Sequence, residues 1–345
     1  MSHIITRRNA FKVFGTAAFV AASTLAIPQR ASAQAAKIRI GGSGRPVPQT
    51  YSRATDGYKN AFPPGTEIDY VNVAGGSQII AALAGNSLDI SLVGSPPMVT
   101  AFAAGTDISM IYIQETTLKS EGLVVRNASG IKSVKELKGK KVGVMFNTSA
   151  HFGILNAMKI NGLSNSDVRL LNVKTDAMFA LWSRGEIDAA FTWAPHMGKL
   201  MADGGTKIFE DGDLVPHGIL SFDAIVVRND FKKRHPELVL AYLQEFNRVS
   251  DLFRNDPESV IKPLAEFTKI SPEDVRTFVK TYELVEPKEA VSKTWLGRPG
   301  ELDAGIYKTL KSKGDFMKEV GQLTSVPASY APFIDSSFAQ KLAGG

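Results

Sequence analysis

The chain has 345 residues, of which 44% are hydrophobic and 21% charged, and a formal net charge of +6, a composition typical of an ordinary globular protein. It contains no cysteine, which excludes disulfides, thiolate nucleophiles, cysteine-ligated zinc and a lipid-anchored cysteine. A chain of this length exceeds what one hydrophobic core usually covers, so we expect two lobes.

Residues 1–33 have the pattern of an export signal. They carry four basic residues and no acidic one, and the apolar run 13–27 is too short to span a bilayer. Cleavage after Ala33 predicts a free periplasmic protein, not embedded in the membrane. Arg7 and Arg8 resemble a twin-arginine signal, and an ordinary secretory signal stays open. Without the four basic residues the formal net charge falls to +2, so the charge does not indicate a nucleic-acid partner.

Three segments of the first half return about 100 residues later. Each pair has the pattern of a short buried strand, and two of the pairs run into a small-residue or proline-containing loop. The pairs are 38–43 with 141–148, 88–98 with 187–197, and 122–127 with 224–229. The repeats predict an α/β protein made of two lobes of similar build, each with a mostly parallel sheet flanked by helices.

The strands in 122–127 and 224–229 are predicted to be the two crossovers between the lobes. The predicted boundaries are therefore 34–121 with 227–345 for a discontinuous lobe I, and 122–226 for lobe II. After Asp230 the pattern is that of amphipathic helices, for example 235–254 and 272–280, which we expect to pack on lobe I.

Four loops lie at the predicted carboxyl ends of strands, where ligands bind in such sheets. If the lobes face each other, these loops line one cleft. They are the loops 43–47, 94–97, 147–151 and 193–196.

Two of these loops are suited to an anion. Gly94-Ser95 and Thr148-Ser149 precede predicted helices, whose first N–H groups carry about half a positive charge. Glycine allows close approach, and the hydroxyls add donors. Taken singly, the hydroxyls can be simple helix caps, but as a facing pair they predict an anion site. His151 follows in the first turn, where it either donates to the anion or sits at the surface.

Other side chains are suited to a positively charged group. Trp193 replaces a glycine of the repeat, and its ring either attracts an ammonium or packs in the core. Asp223 interrupts the apolar run 219–227 and needs a partner, which can be an ammonium ligand, an arginine or a backbone N–H. Glu121 holds the matching place in the other half, where a solvated strand end is favoured. Trp295 either covers the cleft or packs on lobe I.

The chain resembles the periplasmic taurine-binding proteins within the nitrate, alkanesulfonate and taurine group of ABC importer binding proteins. The resemblance runs from about residue 38 to 338 and is densest at 88–96, 137–142, 184–195 and 222–236. It implies the two-lobed periplasmic binding protein fold (type II), hinge closure, and delivery of the ligand to an ABC transporter permease.

The resemblance also implies residue roles. It assigns Gly94, Ser95, Thr148, Ser149 and His151 to a sulfonate, and Trp193 and Asp223 to the rest of a small organosulfonate. The first loop departs from the family pattern. There Ser43 and Arg45 replace the expected residues, and Arg45 can bring a cation that favours a further anionic group such as a carboxylate.

We therefore predict a monomeric solute-binding component that captures taurine or a related organosulfonate, with no cofactor and no metal. The sequence has no Gly-x-Ser-x-Gly, Gly-Lys-Ser/Thr or Gly-x-Gly-x-x-Gly motif and no histidine pair spaced for a metal, so we do not expect an enzyme. A ligand-sensing partner of a membrane receptor stays open as an alternative. So do alkanesulfonates, nitrate and small aromatic acids as ligands.

Overall fold

The computed structural model describes residues 36–42, 44–73 and 75–344. The predicted leader 1–33, its cleavage point near Ala33 and the predicted ligand residue Ser43 lie outside these residues. Within the described residues, no helix is both long and apolar enough to cross a membrane.

The strands form two sheets, with the order β11-β4-β10-β3-β1-β2 in the first and β7-β6-β8-β5-β9 in the second. The strands are β1 (Lys37–Gly42), β2 (Glu67–Asn72), β3 (Ile90–Gly94), β4 (Ile108–Thr116), β5 (Glu121–Arg126), β6 (Lys141–Val144), β7 (Arg169–Asn172), β8 (Ala189–Trp193), β9 (Gly205–Glu210), β10 (Phe222–Arg228) and β11 (Glu283–Leu284).

Helices flank both sheets and form the C-terminal part of the chain. The helices are α1 (Pro48–Ala54), α2 (Gly57–Ala61), α3 (Gly76–Ala84), α4 (Ser95–Ala103), α5 (Ser149–Ile160), α6 (Thr175–Ser183), α7 (His196–Ala202), α8 (Asn229–Arg234), α9 (Pro236–Asn255), α10 (Pro257–Thr268), α11 (Pro272–Thr281), α12 (Pro287–Ala290), α13 (Gly305–Glu319) and α14 (Ser337–Leu342). The predicted helices 235–254 and 272–280 correspond to α9 and α11. Both begin at proline, whose fixed φ and missing N–H suit the first helical position.

The repeat seen in the sequence is a repeat of topology. In each sheet three neighbouring strands are parallel, with the spatial order β2-β1-β3 in the first sheet and β7-β6-β8 in the second. Next to β3 lies β10, which is antiparallel to both β3 and β4. Next to β8 lies β5, which is antiparallel to both β8 and β9. The two-lobed α/β fold is thus confirmed, and each sheet is mixed rather than mostly parallel.

The two strands predicted as crossovers belong wholly to one sheet each. β5 lies between β8 and β9, whereas β10 lies between β3 and β4. Residues 222–226, predicted to be in lobe II, therefore belong to the sheet of lobe I, and the chain passes between the lobes at 117–120 and 218–221. Alternating or β-branched residues predict a strand, but they do not specify the sheet that the strand joins.

Two equivalent aspartates hold the parallel strands together. Asp89, before β3, accepts a 2.8 Å hydrogen bond from the N–H of Arg39 in β1. Asp188, before β8, accepts a 2.8 Å hydrogen bond from the N–H of Lys141 in β6. Both aspartates therefore have a structural role, because each carboxylate ties the start of one parallel strand to its neighbour.

The long helix α9 covers the sheet of lobe I with one apolar face. Leu238, Tyr242 and Phe246, four residues apart, are fully buried, as the period of an α-helix requires. Tyr242 stacks on Tyr58 at 5.1 Å between ring centroids. Burying one such side chain stabilises the fold by roughly 1.5–3 kcal/mol. The C-terminal helices therefore complete lobe I.

Trp295 belongs to this core. It is buried and meets the ring of Phe222 edge-on at 5.9 Å, and its indole N–H donates to Glu289 at 3.1 Å. Of the two roles considered for Trp295, the structure supports packing on lobe I.

Candidate ligand-binding site

A cavity of about 210 Å³ lies between the two lobes. It is found where strands of both sheets end, as expected for open α/β sheets. Its lining comes from both lobes and comprises Arg45, Gly75, Gly76, Ile79, Leu92, Val93, Gly94, Pro97, Glu121, Met145, Asn147, Thr148, Ser149, Thr175, Asp176, Trp193, His196 and Asp223. Seven of the predicted ligand residues are in this set, namely Arg45, Gly94, Glu121, Thr148, Ser149, Trp193 and Asp223.

Several helices begin at this cavity. The first residues of α3, α5 and α6 and the residue before α4 all line it. The first turns of α3, α4 and α5 contain no acidic side chain, so the partial positive charge of those helix ends is left for a ligand. The sequence predicted two such helix ends, at α4 and α5, and the structure adds α3. Helices α6 and α7 also begin at the cavity, but α6 has Asp176 in its first turn.

Thr148 serves as a helix cap and also lines the cavity. Its Oγ1 accepts from the N–H of His151 at 3.3 Å and donates to the carbonyl of Met145 at 2.6 Å. The hydroxyl is therefore occupied, as in the simple capping interpretation.

The lobes touch at Gly94. A Cβ built at this glycine would lie 3.4 Å from Asp223 Oδ1 and 3.8 Å from Ser149 Oγ, an atom of the other lobe. At the opposite rim, a Cβ at Gly75 would lie 3.1 Å from Met145 Cε. The conformation described is therefore a closed one, and the glycines leave room where backbone must approach a ligand.

Asp223 extends from the start of β10 into the cavity. Its neighbours across the sheet are Gly94 on β3 and Glu115 on β4. The Oδ2 atom accepts from Arg45 Nη1 at 3.0 Å. The Oδ1 atom is buried and has no hydrogen-bond partner among the described residues. One carboxylate oxygen is thus available to a ligand.

Arg45 does not supply the free cation that its position suggested. Its guanidinium bridges Asp223 and Glu115, with 3.1 Å between Nη2 and Glu115 Oε1. It also lies 5.7 Å from the ring of Phe278 and 5.9 Å from that of Tyr282. Burial by itself would lower the pKa of Arg45, but the neighbouring charges, chiefly Glu115, outweigh it and raise that pKa. The cation is therefore neutralised by two carboxyl groups.

Glu121 is buried, in contrast to the solvated strand end that the sequence favoured. Only 4% of the residue is exposed. Its Oε1 accepts a 2.6 Å hydrogen bond from Ser149 Oγ, and its carboxyl group also lies within hydrogen-bonding reach of the buried carboxyl group of Asp211. Burial, reinforced by the charges of Asp211 and Asp223, raises the pKa of Glu121 well above its usual value.

Trp193 lies opposite Glu121 on the neighbouring strand. It is half-buried, packs partly on the core of lobe II and meets the ring of His196 edge-on at 6.4 Å. Trp193 therefore packs in part on the core, as one of its two interpretations had it, and the rest of the residue lines the cavity.

Two predicted ligand residues do not line the cavity. His151 stacks on Phe146 at 4.2 Å, lies 3.2 Å from Gln322 and lines a separate depression. His151 comes two residues after Ser149 in α5, so its side chain lies on a different face of the helix. Burial lowers the pKa of His151 to about 4. Ser95 is fully buried beneath the cavity, where its Oγ has no partner among the described residues.

The sequence reasoning missed several lining residues. Gly75-Gly76 follows β2 and Thr175-Asp176 follows β7, so both lie at strand ends, like the loops that were predicted. For Gly75-Gly76, the signal available in the sequence was a pair of small residues between a strand and a helix. Glu115 gave no signal, because its role depends on a contact with Arg45, 70 positions away.

The cavity therefore offers donors at the helix ends and one unpartnered carboxyl oxygen, Oδ1 of Asp223. Such a site can hold a small molecule with an anionic end and a cationic end. Within the described part of the chain, no group of three or more His, Cys, Asp or Glu residues could hold a metal ion.

Comparison with known proteins agrees with this architecture. The profile of the NMT1/THI5-like family matches residues 63–260. The taurine-binding periplasmic protein of Escherichia coli (strain K12) is 28% identical over 316 residues, which is 89% of this chain and 94% of that protein.

Two solved structures illustrate how widely the fold is used. The alkanesulfonate-binding protein SsuA from Xanthomonas axonopodis pv. citri, bound to MOPS, has a TM-score of 0.74 at 23% identity, covering 88% of this chain and 99% of that one. The desulfurization enzyme DSZB has a TM-score of 0.63 at 14% identity, covering 90% of this chain and 99% of that one. The fold is therefore shared by binding proteins and by an enzyme.

Proposed function

This chain belongs to the NMT1/THI5-like family, and we propose that it is the solute-binding component of an ABC importer. It captures taurine, or a small organosulfonate closely related to it, in the periplasm and delivers the ligand to a membrane permease. The similarity to a taurine-binding periplasmic protein over nine-tenths of the chain supports this function.

One observation carries the choice of an amine-bearing sulfonate. Asp223 and Glu121 line the cavity beside the starts of α4 and α5, and Oδ1 of Asp223 is buried without a partner among the described residues. A buried carboxylate oxygen needs a donor, and an ammonium group supplies one. The sulfonate oxygens would accept from the backbone N–H groups at the helix ends.

The capture step follows from the way the contacts are divided. Gly94 and Asp223 belong to lobe I, whereas Glu121, Ser149 and Trp193 belong to lobe II. A ligand bound between them completes its contacts only when the lobes close, so binding shifts the population toward the closed form. Closure also excludes water, which strengthens the charged hydrogen bonds.

We propose binding without chemistry, although DSZB has the same fold. The sequence has no cysteine and none of the nucleophile or phosphate motifs considered above. The carboxyl groups of Asp223 and Glu121 are held by Arg45 and Ser149, and no histidine is hydrogen-bonded to these two groups among the described residues. This arrangement is suited to holding a zwitterion, since it lacks an activated nucleophile.

An alkanesulfonate without an amine is the second candidate. The raised pKa of Glu121 favours it, because a protonated carboxyl group does not need a cationic partner. The likeness to SsuA agrees with this alternative at the level of the fold.

Equilibrium dialysis of the ligand-stripped chain against taurine, ethanesulfonate and ethylamine tests the proposal. We expect taurine to bind more tightly than either single-ended analogue, and we expect NMR to recover the bound taurine unchanged. Binding of none of the three would reject the sulfonate function, and conversion of taurine would reject the non-enzymatic role.

A further inference from the structure

Lys313 on α13 is buried between the lobes. Only 2% of the residue is exposed, and its Nζ has no hydrogen-bond partner among the described residues. A buried ammonium with no acceptor is costly, so this position must have a compensating role or a changed protonation state.

The surroundings of the amine are aromatic and come from both lobes. Nζ lies 3.7 Å from the ring centroid of Phe152 on α5 and 5.9 Å from that of Phe222 on β10. Helix α13 packs on α4 of lobe I, whereas α5 packs on β5 and β8 of lobe II. Separation of the lobes would therefore remove Phe152 from the amine.

Water can reach this position when the lobes part. A groove of about 740 Å³ runs between α5 and α13, and both Phe152 and Lys313 line it. Phe152 also meets the ring of Phe316 on α13 edge-on, at 5.3 Å between ring centroids. Opening would expose to water the side of the amine that Phe152 covers.

Buried carboxyl groups of both lobes act on Lys313. Asp211, Glu121 and Asp223 each favour its charged form, but burial has the larger effect and lowers the pKa of Lys313 to about 7. The groove itself carries both signs, with His217, Lys159, Lys308, Lys311, Asp315 and Glu319 along its walls. Lys159 pairs with Glu319 and Lys311 with Asp315.

We propose that Lys313 releases its proton to solvent when the lobes close, so that ligand capture is coupled to proton release. The N–H bond breaks, the electron pair stays on the nitrogen as the neutral amine, and water or buffer takes the proton. The inference rests on the proposed capture by lobe closure. Lys313 is thus a positioning residue, which acts on the ligand through the balance of open and closed forms.

The direction of the pH effect follows from the number of protons held. Above about pH 7 the Lys313 amine holds fewer protons in the closed form than in the open form, so its titration favours closure at higher pH. Ligand affinity should rise by about 3- to 10-fold per pH unit from pH 7 to 8.5, since full release of one proton gives tenfold per unit.

The first test needs no ligand. Cysteines introduced by Gly75→Cys and Met145→Cys lie at the touching rim of the cleft, and a short bifunctional thiol reagent would join them without competition in a chain that has no other cysteine. NMR of ¹³C-labelled lysines, with Lys313 assigned by Lys313→Arg, then gives its titration midpoint. We expect a midpoint near 7 in the joined protein and at least two pH units higher in the unjoined one. Equal midpoints would overturn the inference.

The second test measures protons during capture. Calorimetry with taurine at pH 7.5, in buffers of different ionisation enthalpy, should give a net proton release for the native chain. Lys313→Met and Lys313→Arg should release up to one proton fewer than the native chain, and their affinities should rise less with pH between pH 7 and 8.5. Lys159→Met, a groove lysine that is about half exposed, should retain the release.

The outcomes separate the two proposals. Taurine binding with equal proton release in the native and Lys313 variants would overturn the coupling and leave the proposed function intact. Absence of taurine binding would reject the function, and the joined protein would still decide whether closure deprotonates Lys313.

Discussion

Asp223 and Gly94 lie opposite each other on neighbouring antiparallel strands, and a methyl group at Gly94 would stand 3.4 Å from Asp223 Oδ1. Because Gly94 has no side chain, a space is left in front of the unpartnered Oδ1 atom of Asp223. The ligand that we propose would occupy this space.

The Gly94→Ala variant should lose ligand affinity without losing stability. A Cβ there would make ordinary van der Waals contacts with Asp223 and Ser149, so the fold can accommodate it, but the ligand would meet the methyl group. We expect taurine to bind at least about tenfold more weakly, a loss of about 1.4 kcal/mol. Titration calorimetry measures the affinity, and urea unfolding measures the stability.

The matched control is Gly198→Ala on α7, where a Cβ would meet nothing within 4 Å. Its affinity should be native, and its free energy of unfolding should rise by up to about 1 kcal/mol, because alanine favours helix. If Gly94→Ala bound taurine normally, Gly94 would not face the ligand.

The ion-pair cluster at Arg45 predicts strong coupling between two positions. Arg45→Met leaves Asp223 and Glu115 as neighbouring buried carboxyls with no cation, which should lower the free energy of unfolding by about 3–5 kcal/mol. Adding Glu115→Gln removes one of the two negative groups and should recover about 1–3 kcal/mol of that loss. A double-mutant cycle in urea measures the coupling. Simple additivity of the two changes would contradict the buried cluster.

Burial of Asp211 predicts a pH-dependent gain in stability from Asp211→Asn. Burial raises the pKa of Asp211 to about 6, from a usual value near 3.8, despite the hydrogen bond from Thr117. A folded pKa above the unfolded one means that the native aspartate stabilises the fold below about pH 4 and loses this contribution as the pH rises through 6.

At pH 7.5 the asparagine avoids this cost, so Asp211→Asn should raise the free energy of unfolding by roughly 1–3 kcal/mol, whereas at pH 4 it should raise it little. Urea unfolding at both pH values measures the difference. The control Asp56→Asn changes an exposed residue with a positive φ, which asparagine tolerates, and should be neutral at both. An equal gain at pH 4 and 7.5 would contradict the assignment.

Local patterns in the sequence predicted the elements well and their partners less well. The similarity between 88–98 and 187–197 predicted two strand-helix units, which correspond to β3 followed by α4 and β8 followed by α7. A buried strand followed by a proline can be recognised from the local sequence. Segments 122–127 and 224–229 were predicted to be strands, as observed, but the sheet that 224–229 joins was predicted wrongly, since strand pairing is a contact between distant segments.

The same limit applies to the site. Gly94, Ser149 and Asp223 were predicted from strand ends and from a charge in an apolar run, and they line the cavity. The spacing of His151 specified its helical turn and not the direction of its side chain, which stacks on Phe146 instead. The positive charge of Arg45 is evident from the sequence, but its pairing with the distant carboxyl groups of Glu115 and Asp223 is evident only from the structure.

The most direct measurement of the central proposal is calorimetric titration of the ligand-stripped chain with taurine and with its amine-free analogue isethionate, in the native chain and in Asp223→Asn. The exposed Asp69→Asn, paired with Lys37 at the surface, serves as the control. We predict that the native chain and Asp69→Asn prefer taurine, and that Asp223→Asn weakens taurine by about 10- to 100-fold while leaving isethionate unchanged, because a charged hydrogen bond contributes about 1.5–3 kcal/mol. Isethionate binding as tight as that of taurine, or equal weakening of both ligands by Asp223→Asn, would contradict the recognition of an amine at Asp223.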